Sequence, residues 1–183
     1  AKIYFDQLNQ YAGWYKTDCD MMIIKPSDET MPLAKACANA LLRGITLLSN
    51  TEHCGADKMQ GYGLVIYRNW CELLREENQR DSGQIECVFP HAFIHYENKL
   101  RTKQFFELCV NTIPDIDKEL MALAIAQYND ICSSAADIAT IAHQRDSFPK
   151  DTLKEKRNGI IEMLRRSCEQ EELALCYLQK AAG

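Results

Sequence analysis

Residues 116–142 read IDKELMALAIAQYNDICSSAADIATIA. Ile116, Leu120, Leu123, Tyr128, Ile131, Ala135, Ile138 and Ala142 recur mostly at steps of three and four, the spacing of one face of an α-helix. The pattern lasts about 30 residues, which is ~45 Å of helix. Ala122, Ala124, Ala126, Ser133, Ser134, Ala136 and Ala139 are small enough to let neighbouring helices approach closely. A long central helix over about 115–145 is therefore predicted.

Toward the C-terminus, Phe148-Pro149 ends that pattern, and Thr152 with Glu155 has the spacing of a capping box. A helix to about 181 follows, with Leu153, Ile160, Ile161, Leu164, Cys168, Leu175 and Leu178 inward. Toward the N-terminus, Ile113-Pro114-Asp115 separates the central helix from a less regular one over about 91–111, carrying Phe93, Tyr96, Leu100, Phe105, Leu108 and Cys109. Residues 84–90 contain Ile85, Cys87, Val88 and Phe89 before Pro90 and suggest one short extended segment. Before it, Gly63, Ile66, Tyr67, Trp70, Leu73 and Leu74 mark a helix over about 58–79. Leu33, Cys37, Leu41, Ile45 and Leu48 mark another over 31–49, with Pro32 suited to its first turn. Tyr4, Leu8, Tyr11, Tyr15, Cys19 and Met22 mark a first helix over 3–22, broken near Pro26. The expectation is an all-α, single-domain bundle over 1–183, with about six mostly antiparallel helices joined by short connections.

Composition sets further limits. Of the residues, 46% are apolar and 26% charged, as in an ordinary globular protein rather than a disordered one. The formal net charge of −5 weighs against a nucleic-acid backbone as partner, which calls for a surplus of Lys and Arg. The basic residues Lys150, Lys154, Lys156, Arg157, Arg165 and Arg166 are interleaved with Glu155, Glu162 and Glu169, the mark of a solvated helical face. No run of about 18 apolar residues is present, so membrane insertion is not expected. The start, Ala1-Lys2-Ile3-Tyr4-Phe5-Asp6, lacks the apolar run of a signal peptide, and a leader already removed is compatible with it. The nine cysteines are odd in number, form no CxxC pair, and fall largely within helical patterns. They read as free thiols of a cytoplasmic protein.

Motifs that would announce an enzyme are missing: no phosphate loop, no HExxH, no Glu-x-x-His, no GxSxG. The reading leans away from catalysis, and no cofactor is implied. Two weaker candidates stand. His91 and His95, four apart, would share a helix face and offer two metal ligands. Cys54 beside His53, in the loop of residues 50–57, is a candidate nucleophile whose thiolate an imidazolium would favour. The Glu169 and Glu172 spacing reads as solvated surface, and Gly61-Tyr62-Gly63 as a weak anion cradle or a close helix contact.

Aromatic residues carry the leading expectation. Tyr62, Trp70, Ile85, Phe89, Phe105 and Phe106 lie in or around residues 80–106, and exposed aromatic side chains commonly anchor protein interfaces. The function expected from them is a non-catalytic interaction module of adaptor, inhibitor, immunity or effector type, binding another protein. The alternative is a bundle enzyme or small-molecule binder using Cys54 or the His91/His95 pair.

Overall fold

A computed structural model describes residues 31–49, 63–81, 83, 85 and 91–183. The described residues belong to one compact unit, Met31–Gly183, and residues 1–30 lie outside them. Five α-helices are present among the described residues: α1 (Leu33–Ser49), α2 (Val65–Gln79), α3 (His91–Thr112), α4 (Lys118–His143) and α5 (Leu153–Ala182). Six were expected; the one placed at 3–22 falls outside the described residues. No strand occurs among them, and of the extended segment expected at 84–90 only Ile85 is described, fully buried.

Local chemistry explains the helix ends. Pro32 precedes α1, and its carbonyl accepts from Ala36 N at 3.0 Å. Gly63 opens the turn into α2 with φ 61°, a left-handed conformation that costs glycine little. Asp117 caps α4: its carboxylate accepts from the amides of Glu119 and Leu120, both at 3.0 Å. The capping box at Thr152 does not form. Lys150–Thr152 is a 3₁₀ turn running straight into α5, so Thr152 has helical dihedrals and its hydroxyl donates back to Pro149 O at 2.8 Å.

The helices pack through seams of alternating three- and four-residue steps. In α4 the seam is Met121, Ala124, Tyr128, Ile131, Ala135, Ile138 and Ala142, all buried. Leu123, expected inward, is 46% exposed because it sits one residue, about 100°, off that line. In α5 the seam is Leu153, Arg157, Ile160, Leu164, Ser167, Glu171, Ala174, Leu178 and Ala181, again all buried. The two seams meet antiparallel: Tyr128 touches Glu171, and late α4 residues Ile138 and Ala142 share a core cluster with Leu153 and Ile160 of early α5. In α3 the inner line is Ala92, His95, Phe106 and Cys109, with Lys99 and Thr102 on the same spacing, whereas Phe93 and Leu108 face outward. The expected stripe of α3 was thus rotated, because it followed the large apolar residues and passed over polar ones.

Connectivity departs from the simple neighbour rule. The connections α3–α4 and α4–α5 join packed neighbours, but α2 lies along α5, and α1 lies on α3 and α5. The C-terminal helix therefore shares the centre with α4.

Candidate functional site

Four helices each contribute one side chain to a buried polar cluster. Glu171 of α5 is 1% exposed. Lys99 of α3 donates from Nζ to its Oε1 at 2.7 Å and Oε2 at 2.6 Å. The hydroxyl of Tyr67 (α2) donates to Oε2 at 2.7 Å, and that of Tyr128 (α4) donates to Oε1. Four contacts occupy the lone-pair directions of one carboxylate. The Lys99 ammonium also stands 5.2 Å from the Tyr67 ring centroid, a cation–π contact.

The electrostatics follow from that arrangement. Burial pushes the Glu171 carboxyl up, but Lys99 and the hydrogen bonds outweigh it and hold the group below its ordinary range. Burial, reinforced by the Glu171 charge, raises both tyrosines well above the usual phenol value, so they remain donors. His95, one turn before Lys99, sits edge-on between Tyr67 (5.6 Å) and Trp70 (5.4 Å). Burial first and the Lys99 charge second lower it to about 3, so its ring is neutral, and Nε2 is buried with no hydrogen-bond partner.

Beside the cluster lies a cavity of about 440 Å³ between α1, α3, α4 and α5. Its walls are apolar, with Leu41, Ile45, Phe105, Phe106 and Leu178 prominent. Exposed Leu47 and Arg101 mark its rim, and its polar lining includes the fully buried Tyr128 and Glu171 and the largely buried Lys99. Gly44 of α1 also borders it, and a Cβ added there meets nothing within 4 Å. The cavity lining thus combines apolar side chains with one group of buried polar ones.

The residues singled out from sequence fall elsewhere. Trp70, Ile85 and Phe106 are core, at 2%, 0% and 4% exposure, and so present no surface to a partner. Phe105 is half-buried against the cavity; Tyr62 and Phe89 lie outside the described residues, as do His53 and Cys54. His91 is exposed, whereas His95 is committed to its aromatic slot. Among the described residues no three His, Cys, Asp or Glu side chains are grouped to hold a metal ion. Of the basic residues near the start of α5, Arg157 is buried and pairs with Glu77 at 3.3 Å, rather than facing solvent. The six described cysteines are thiols, and burial pushes Cys109 up to about 12 and Cys168 up to about 11, far from thiolate formation.

Lys99 and Glu171 were missed in the sequence, although a signal for Glu171 is there. Leu164, Ser167, Glu171, Ala174 and Leu178 keep the seam spacing, so a carboxylate stands on the apolar stripe of α5. A charge on such a stripe calls for a buried partner. No helix among the described residues is long and apolar enough to cross a membrane. Set beside known proteins, the chain matches no family model, no curated protein and no solved structure.

Proposed function

We propose that this protein is a helical-bundle small-molecule binder that takes an apolar ligand into the cavity bounded by α1, α3, α4 and α5. One observation carries the reading: about 440 Å³ of space with mostly apolar walls that include buried polar side chains, Tyr128, Glu171 and Lys99. That is the common form of a ligand site, and bundles commonly build such sites between facing helices. The glycine at position 44 points the same way, since a helix-interior glycine costs about 1 kcal/mol relative to alanine and here leaves room at the cavity wall.

The test is titration with the neutral, polarity-sensitive dye N-phenyl-1-naphthylamine. Saturable binding to the parent protein, weakened at least tenfold by Gly44→Trp with helicity and urea midpoint retained, is the expected result. Equal binding by both proteins, or none by the parent, would overturn the reading.

A second reading is a non-catalytic interaction module that docks a partner protein through the 80–106 region. The exposure of Phe93 (40%) and Ile94 (56%) on α3 favours it. Its anchors would then be these two residues rather than the aromatic side chains that fill the core. Crosslinked capture of one partner, abolished by Phe93→Asp with Ile94→Asp, is expected; undiminished capture removes the surface. Both readings suit a cytoplasmic setting, which the six described free thiols support.

A further inference from the structure

Resting on the small-molecule reading, we infer that the cavity selects an uncharged ligand with one terminal hydroxyl group on an apolar body. The reasoning starts from what the cluster has left to offer. All four lone-pair directions of Glu171 are taken by Lys99, Tyr67 and Tyr128. Lys99 has three N–H donors, and its contacts to the two Glu171 oxygens account for two of them. The Tyr128 hydroxyl spends its proton on Glu171 and keeps oxygen lone pairs to accept with. Where the cluster borders the cavity, these hydrogen bonds leave one Lys99 N–H donor and the lone pairs of the Tyr128 oxygen to meet a ligand.

A hydroxyl group satisfies both at once, accepting from Lys99 and donating to Tyr128. Charged heads fit less well. Lys99 and Glu171 already neutralise each other at 2.6 Å, so an incoming ion meets no net countercharge to offset its loss of water. A carboxylate would lie beside the Glu171 carboxylate and the phenolic oxygen, and an ammonium beside Lys99. Arg101, the other cation lining the cavity, is exposed and already hydrogen-bonds Gln104 Oε1 at 3.1 Å. An ether can accept from Lys99 but leaves the Tyr128 oxygen without a donor.

The experiment is displacement of bound N-phenyl-1-naphthylamine at pH 7.5 by four ligands of matched length: 1-decanol, methyl nonyl ether, decanoate and decylammonium. Decanol should displace the dye at a concentration at least tenfold below decanoate and decylammonium, and a few-fold below the ether. In the double variant Lys99→Met with Glu171→Leu, the preference should collapse to within about twofold. Decanoate or decylammonium equalling decanol in the parent protein would overturn the head-group assignment while leaving the cavity intact. Failure of the dye itself to bind would overturn the cavity reading instead. The ligand series in the parent protein decides the matter whether or not the double variant folds.

Discussion

The seam of α5 carries two buried charges two heptads apart, and their surroundings differ. At Arg157 the guanidinium meets Glu77 of α2 at 3.3 Å and Asn78 at 3.2 Å, on the seam of a core cluster containing Trp70, Leu74, Leu153 and Ile160. At Glu171 the carboxylate joins side chains from three other helices and lies against an open cavity. The first is a two-helix clamp: it fixes how α2 lies along α5. The second gathers α2, α3, α4 and α5 around one polar point and leaves space next to it. The same device, a charge on an apolar seam, ties two helices at one position and, on the proposed small-molecule reading, serves recognition at the other.

The largest effect should come from breaking one partner at each end. Glu171→Ala leaves the Lys99 charge and two phenol hydroxyls buried without their acceptor, and should cost about 3–5 kcal/mol in urea unfolding. Arg157→Ala should cost a comparable amount. Replacing both partners should restore most of the stability at the Arg157 end and less at the Glu171 end, where the Tyr67 and Tyr128 hydroxyls stay without an acceptor, but only Lys99→Met with Glu171→Leu should change ligand selectivity; an equal change from Glu77→Leu with Arg157→Leu would erase the distinction.

Next comes acid. His95 is lowered from 6.5 to about 3 by burial and the Lys99 charge. The unfolded chain therefore takes up that proton between pH 6.5 and about 3 while the folded one does not, and stability drops as pH is lowered across that window, by an amount on the order of 5 kcal/mol. The Glu171 carboxyl, held below its ordinary value of 4.5, adds a loss that sets in as pH falls through about that value. His95→Phe should flatten the upper part of the profile and leave the lower; an unchanged profile would place the titration elsewhere. Smaller again, Asp117→Ala should remove the α4 cap and cost about 1 kcal/mol. Smallest, Gly44→Ala should raise stability by about 0.5–1 kcal/mol, read as a shift in urea midpoint, because the added methyl meets nothing.

Much of this was legible before the structure. The limits of α3, α4 and α5 follow the periodic runs and the Pro114 and Pro149 breaks closely. The stripe of α4 was right from Tyr128 onward and wrong at Leu123, since an apolar residue beside a seam looks like one on it. In α3 the search for apolar periodicity passed over His95, Lys99 and Thr102, the polar residues on its own inner line. For the same reason aromatic residues that fill the core, Trp70 and Phe106, were read as a surface.

The amino-acid sequence by itself determined that the chain coils, where most helices begin and end, and that α5 carries a carboxylate on its buried stripe. These depend on spacing along the chain and on breaker residues, which act over a few positions. Only the tertiary structure decided that α2 lies along α5, that Lys99, Tyr67 and Tyr128 converge on Glu171, and that a cavity stays open beside them. Those outcomes depend on which seam meets which, and residues as far apart as 67 and 171 become neighbours only through packing.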